Sequence, residues 1–319
     1  MSHFTKNERN KVAIVGVGFV GSTTAYTLLL NGIVSSISLI DINENKTEGE
    51  ALDLLHCTQF AHSVDINFGS SFELVKDASI VIICAGFPQK KDESRSELLT
   101  KNTLIFKDII PKIIKYNKDC ILLIVTNPLD VLTYISLYLS QFPSCKVLGT
   151  GTVLDTARLR YLLGSHFQVS PKDIIAHIIG EHGDSEFVLW SQATIAGVSL
   201  KEFSAYSKES LQKIYEKTKN AVYEIISKKG ATYYAISLVI TKIVRAVLLD
   251  QSRVFSVSSL CTKGTCGNKD DICISVPTIV RKSGVCEKLN LKFTQEEQNF
   301  FVTSANKIRK DIETAIKLL

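Results

Sequence analysis

Short, continuous apolar runs punctuate the first half of the chain: KVAIV at 11–15, SISLI at 36–40, SIVIICA at 79–85, CILLIVT at 120–126 and CKVLG at 145–149. Runs of this length without polar alternation read as strands buried on both faces. Stretches with helical spacing separate them. One covers 19–31 and stops at Gly32, a residue suited to a helix C-cap. NKTEGEALDLLHCTQF is a second, 96–117 a third and 130–141 a fourth, with Pro111 predicting a break or kink in the third. This alternation predicts an α/β, doubly wound parallel sheet over residues 1–150, covered by helices on both faces.

After about residue 150 the texture changes. Helical spacing covers 153–166, 208–228, 232–250 and 294–317, and Val/Ile-rich strand candidates lie at 174–179, 253–260 and 271–280, with GTCGNKDD as a turn. That pattern predicts a mixed α+β domain over 151–319, docked directly on the first.

A length of 319 residues suits two domains of ordinary size. Its 37 basic and 32 acidic residues leave a net charge of +5 without single-sign blocks, a mild bias toward small anions. The clustered basic stripes of a nucleic-acid binder are missing. The start, MSHFTKNERN, lacks an apolar signal core, and no apolar run reaches the roughly 18–20 residues that span a bilayer. A cytoplasmic protein is expected, with residues 1–10 as an N-terminal arm or a frayed end. Among the eight cysteines, Cys57, Cys84, Cys120 and Cys145 sit in or beside apolar segments and read as buried thiols. Cys261, Cys266, Cys273 and Cys286 lack the tight spacing and His partners of a zinc site, so no metal is expected.

GVGFVG places Gly16, Gly18 and Gly21 between the first strand and the following helix. The first glycine permits a tight turn, the second lets backbone approach a pyrophosphate, and the third lets helix pack on strand. The helix N-terminus adds free N–H groups for the phosphates. Glycine-rich turns without nucleotides share this spacing, but the second strand ends at Asp41, twenty residues beyond Gly21. A carboxylate there accepts hydrogen bonds from ribose hydroxyls and repels a 2′-phosphate, which favours NAD over NADP.

GEHGDSEF holds His182, and TVLDTARLRYLL holds Asp155 and Arg158 three residues apart on one helix face. A lone His is more often structural, and charges on a helix face are more often solvated. The order and intervals of GVGFVG, TNPLD (126–130), LDTARLR (154–160), GEHGD (180–184) and KGATYYAI (229–236) add what each motif alone lacks. From about residue 11 to its C-terminus the sequence resembles the bacterial-type L-lactate dehydrogenases, and the related malate dehydrogenases share much of this framework.

The resemblance implies reversible reduction of pyruvate to L-lactate in glycolysis or fermentation. His182 would exchange a proton with the substrate oxygen, Asp155 would orient the imidazole and favour its charged form, and Arg158 would grip the carboxylate with two prongs. Arg95 would polarise the carbonyl. Asn127 would bind near the carbonyl and the cofactor, and Asn127–Pro128 is a candidate cis bond. Thr232 would line the pocket and Ile236 pack on the nicotinamide. Phe19, Val20, Ala85 and Gly86 would complete the cofactor site beside the three glycines and Asp41.

Residues 86–98 match the family's mobile substrate loop, which closes over the site and excludes water. At the position of Gln89 malate dehydrogenases carry Arg, paired with a second carboxylate. A neutral amide there suits pyruvate and leaves a dicarboxylate unpartnered. FP before Gln89 and Asp92 after it depart from the lactate pattern, and Lys90 and Lys91 are near enough to lend charge to a dicarboxylate, so malate dehydrogenase is the alternative reading. A non-catalytic dinucleotide- or RNA-binding protein on the same scaffold is a third, and it predicts damage to Arg95, Asp155, Arg158 or His182, all of which are present.

Many bacterial members resembling this chain are homotetramers in which an Arg and a His bind fructose 1,6-bisphosphate. Arg160 matches the Arg. Ile175 stands in place of the His, with His177 two residues on and, in an uninterrupted strand, on the same face. Weak or absent activation is expected.

Overall fold

The computed structural model describes residues 10–88, 94–264 and 270–319. The apolar runs become strands β1 Lys11–Val15, β2 Ser36–Ile40, β4 Ile80–Ile83, β5 Ile121–Ile124 and β6 Val147–Gly149; β3 is Asp65–Gly69. They pair in parallel in the order β3-β2-β1-β4-β5-β6, the doubly wound arrangement. Alternate residues feed opposite cores: Ala13, Val15, Val81, Ile83, Leu122 and Ile124 one, Val12, Ile14, Ile80, Ile82, Ile121 and Leu123 the other. Both faces are therefore apolar, which is why these strands show no polar alternation. The predicted strand list omits β3, because DINFG is a largely exposed edge with no apolar run to mark it.

Helices α1 Phe19–Asn31, α2 Glu44–Cys57, α3 Arg95–Tyr116 and α4 Leu129–Ser140 connect the strands. Gly32, with φ 61°, caps α1 as its position predicts. Helix α3 opens on a capping box between Ser94 and Glu97 and runs through Pro111 without the predicted break. Pro111 lies on the exposed face four residues after exposed Lys107, so the carbonyl deprived of a partner is on the water side.

The second half opens with α5 Val153–Phe167. The predicted strand 174–179 is instead two short strands, β7 Ile174–Ile175 and β8 Ile178–Ile179, in separate small sheets. Arg160 Nε donates to the Ala176 carbonyl at 2.9 Å between them, which takes that carbonyl out of any ladder. Strand β8 pairs with β9 Phe187–Val188, and β7 with β10 Thr194–Ile195, which also pairs with β11 Val198–Ser199. Helices α6 Lys208–Lys229 and α7 Tyr234–Leu248 follow, then β12 Arg253–Cys261, β13 Ile272–Arg281, β14 Gly284–Lys288 and α8 Gln295–Ile316.

These last strands continue the first sheet. β12 pairs antiparallel with β6 at Ser258 and Gly149, and the nine strands run β14-β13-β12-β6-β5-β4-β1-β2-β3. Helix α8 covers the same core as α3 and α4, through Phe301, Ile308 and Ile312 beside Phe106, Ile110 and Leu132. Among the described residues no helix is long and apolar enough to cross a membrane, and Cys120 is a buried free thiol and Cys286 an exposed one.

Candidate active site

The carboxyl ends of β1, β2, β4 and β5 open toward one crevice, at the point where strand order reverses between β1 and β4. Gly16 (φ 93°) turns the chain there, and a Cβ on it would stand 2.4 Å from the Ala85 nitrogen. A Cβ on Gly21 would stand 2.1 Å from the Gly16 carbonyl, so only glycine lets α1 seat against the turn. Gly18 differs: nothing lies within 4 Å of the Cβ position, and it is the N-cap of α1 without a side-chain cap. Open space at a helix start without a side-chain cap is the arrangement in which a pyrophosphate could be held. Asp41 follows β2 and accepts from the Val17 N–H at 2.8 Å, which ties the turn to the strand end. Its other oxygen accepts from Asn43 N–H at 3.1 Å.

Helix α7 packs against α1 through a buried hydroxyl ladder. Thr24 Oγ1 donates to Ser237 Oγ at 3.2 Å, Ser237 Oγ to the Val20 carbonyl at 3.3 Å, and Thr27 and Thr241 meet at 2.9 Å. The contact packs Ile236 on the core cluster that includes Val17 and stacks Phe19 on Tyr233 with centroids 5.3 Å apart, and Thr232 lies just before the helix. Thr126 Oγ1 donates to the Ala85 carbonyl at 2.8 Å, and a Cβ on Gly86 would meet the Thr126 methyl at 2.2 Å. The Asn127–Pro128 bond is cis. Buried Asn102 donates to the Asn127 carbonyl at 2.7 Å and accepts from Phe87 N–H at 2.8 Å, joining that peptide to the start of segment 86–98.

The catalytic candidates meet across α5 and the loop after β8. Asp155 lies between two cations: its Oδ2 is 2.8 Å from His182 Nδ1, and its Oδ1 accepts from Arg158 at 2.8 Å. Gly180 (φ 96°) and Gly183 (φ 158°) shape the loop that presents the ring. Gly180 exchanges both backbone hydrogen bonds with Ser275 on β13, and buried Asp130 on α4 accepts from the His182 N–H at 2.7 Å. Burial pulls the imidazole toward its neutral form, but the charge and hydrogen bond of Asp155 outweigh it, with smaller help from Glu186 and Asp130, and His182 titrates at about 9. Burial also penalises the Asp155 anion, yet His182 and Arg158 hold its carboxyl below the ordinary range. At neutral pH the pair is an imidazolium on a carboxylate, a loaded proton donor.

Arg95 starts α3 and stands apart from this pair in its partners. Its guanidinium is bonded to buried Glu181 and lies 3.4 Å from Asp184, and Lys307 of α8 joins the same carboxylates at 3.0 and 3.7 Å. Gln89, Lys90, Lys91 and Asp92 lie outside the described residues.

Ile175 and His177 do not share one strand face, as an uninterrupted strand would have had them. The strand ends at Ile175, which stays 51% exposed. His177 turns inward to Ser256 at 3.1 Å, and burial with the nearby Arg160 charge lowers its titration to about 4.

Sequence reasoning overlooks Asp130, Asn102 and Glu186. Asp130 carries the one available signal, an acidic residue between apolar neighbours in NPLDVLTYI. Glu186 is 6% exposed, and a carboxylate oxygen of it lies within 4.8 Å of an Asp155 carboxylate oxygen and of a His182 ring nitrogen. Asp155 already serves His182 and a guanidinium, so these three groups form an acid–base cluster.

Comparison with known proteins follows the same division of the chain. Residues 10–149 match the model of the lactate/malate dehydrogenase NAD-binding domain, and residues 152–319 that of the family's alpha/beta C-terminal domain. The L-lactate dehydrogenase of Acetivibrio thermocellus is 49% identical over 95% of this chain and 96% of its own. L-lactate dehydrogenase 1 of Clostridium acetobutylicum is 43% identical over 96% and 99%. Among solved structures, the minor L-lactate dehydrogenase of Enterococcus mundtii, in a ligand-bound form, superposes with a TM-score of 0.93 at 37% identity, covering 97% of this chain and 99% of that one.

Proposed function

The chain belongs to the lactate/malate dehydrogenase family, and we propose that it is an NAD-dependent L-lactate dehydrogenase that reversibly reduces pyruvate. The observation that carries the reading is the Arg158–Asp155–His182 array, with one carboxylate 2.8 Å from a guanidinium on one side and an imidazole on the other.

The cradle at Gly16, Gly18 and Gly21 with Asp41 fits NAD, and Phe19, Val20, Ala85, Gly86, Asn127 and Ile236 complete its site. Bound NADH supplies the hydride. Arg158 holds the substrate carboxylate and fixes which face of the carbonyl is presented. His182 passes its Nε2 proton to the carbonyl oxygen, while Asp155 keeps Nδ1 occupied and the ring oriented. In lactate oxidation neutral His182 takes the proton back. Arg95 leaves its carboxylate partners to stabilise the oxygen as charge builds. Lys307 remains on Glu181 and Asp184, so these acids keep a counter-charge when the guanidinium departs. Thr232 and Gln89 enclose the methyl end.

Residues 1–150 are assigned to cofactor and 151–319 to substrate chemistry. The enzyme is assigned to the cytoplasm as a homotetramer, by family resemblance, with pyruvate or lactate and no nucleic acid as its partners. NADH oxidation with pyruvate and oxaloacetate side by side tests the reading. A kcat/KM for pyruvate at least about 100-fold higher is expected, since a second carboxylate enclosed against Gln89 would lack a partner. Preference for oxaloacetate would overturn it. Fructose 1,6-bisphosphate is expected to change pyruvate turnover little, because Ile175 stands where the phosphate site has its His and half-buried His177, bonded to Ser256, is neutral. Strong stimulation in a titration at neutral pH would count against that.

A further inference from the structure

We propose that Glu186 is a positioning residue of the proton transfer: its buried carboxyl group, facing the Asp155–His182 pair, helps fix the pH at which His182 exchanges its proton. The inference rests on the reading of His182 as proton donor and acceptor and deepens it.

Glu186 occupies the end of the active-site loop, just before β9, and its backbone is fixed on both sides. Its N–H donates to the Gly183 carbonyl at 3.1 Å, and the Tyr215 hydroxyl of α6 donates to its carbonyl. These bonds hold the point from which the side chain departs. The residue is 6% exposed, and a carboxylate oxygen of it lies within 4.8 Å of an Asp155 carboxylate oxygen and of a His182 ring nitrogen. Two carboxylates this close share a limited capacity for negative charge. Burial, and then Asp155, push the Glu186 carboxyl well above the ordinary range, whereas His182, Lys219 and Arg158 pull it back.

The surrounding charges divide by element. Helix α5 brings Asp155 and Arg158, and α4 brings Asp130, bonded to the His182 backbone. Helix α6 brings Tyr215 and Lys219, the latter donating to the Asp184 carbonyl at 2.7 Å. The loop's own Glu181 and Asp184 are taken up by Arg95 and Lys307. Glu186 is thus an acid facing the imidazole in addition to the orienting Asp155. Gaining or losing its proton changes the charge felt by His182 while the ring stays in place.

The sign is fixed. An adjacent anion favours the imidazolium, so removing Glu186 moves the His182 titration to lower pH. Pyruvate reduction needs the charged ring and lactate oxidation the neutral one. Both limbs must move together and in the same direction.

The test is Glu186→Gln, which keeps shape and removes the charge. Its pH profiles of kcat/KM are compared with those of the unmodified enzyme for pyruvate and for lactate. The alkaline midpoint for pyruvate and the acid midpoint for lactate are expected to fall by a common amount, on the order of one pH unit. Glu186→Asp, which retains the acid, should restore most of the shift. A 13C NMR titration of the His182 ring, assigned by its loss in His182→Asn, reads the same shift without turnover. Unmoved midpoints and an unmoved ring titration in folded Glu186→Gln would overturn the inference and leave the lactate reading standing. Loss of rate at unchanged midpoints would also overturn it, as a purely structural role. An unmodified enzyme inactive on both substrates would instead overturn the lactate reading. The ring titration would then still decide whether Glu186 tunes His182.

Discussion

Asp155 faces two cations at once, and on the proposed reading, in which Arg158 also holds the substrate carboxylate, this division of one carboxylate predicts that Lys cannot replace Arg158. The guanidinium gives one N–H to Asp155 at 2.8 Å and still has donors in the same plane for a substrate carboxylate. Lys in its place satisfies Asp155 or the substrate as a point charge and fixes the orientation of neither. Arg158→Lys is expected to lower kcat/KM for pyruvate on the order of 100-fold or more, mostly through KM, while NADH binding measured by fluorescence stays as it was. A loss below about threefold would show that Arg158 only braces Asp155. Legibility at this scale is uneven. His182, Asp155 and Arg158 were readable because the motifs holding them are local in sequence. Glu186 and Asn102 were not, because their roles come from burial and from neighbours distant in the chain. Arg95 was readable as a charge, but its pairing with Glu181 and Asp184 joins α3 to a loop more than 80 residues away.

At the scale of elements, the strand–turn–helix unit β1–α1 separates what the fold needs from what the cofactor needs. A methyl on Gly21 would lie 2.1 Å from the Gly16 carbonyl, whereas one on Gly18 meets no protein atom within 4 Å. Gly21→Ala is therefore expected to cost about 1–3 kcal/mol and lower Tm by several degrees. Gly18→Ala, whose extended backbone (φ −77°) accepts alanine, should leave Tm nearly unchanged yet weaken NADH binding about tenfold or more. Thermal melts and fluorescence titration of the two variants check this, and equal effects on both readouts would refute the assignment of Gly18 to the pyrophosphate. The parallel strands and long helices were legible for the same local reason, a period repeated over several residues. What failed were elements too short or too polar to hold a period: β3, an exposed edge, and the 174–179 strand, interrupted when Arg160 takes the Ala176 carbonyl.

For the whole molecule, the change of texture near residue 150 marks a change of local pattern, and cohesion does not follow it. Gly149 of β6 pairs with Ser258 of β12, so the sheet runs through the point where the sequence reads as two units. Thr152 is bonded to the Ser256 carbonyl at 3.0 Å through its N–H and to the Ile178 carbonyl at 2.6 Å through its hydroxyl. A Cβ on Gly151 (φ 58°) would stand 2.3 Å from the Ser256 carbonyl, so the crossing itself is packed without slack. Helix α8, last in the chain, lies over the core that α3 and α4 build, and Lys107 on α3 reaches the Leu318 carbonyl at 2.9 Å. Removing the second half would lay bare the apolar contacts that Phe301, Ile308 and Ile312 make with this core. Burial of that size outweighs any independence suggested by sequence texture. Calorimetry should accordingly show one unfolding transition in which both halves melt together, and NADH should raise that single Tm as a unit. A fragment of residues 1–150 should fail to give a cooperative melt. Two resolved transitions, or a soluble fragment that melts cooperatively, would show that the halves fold separately and that α8 and β12 only dock on a finished domain.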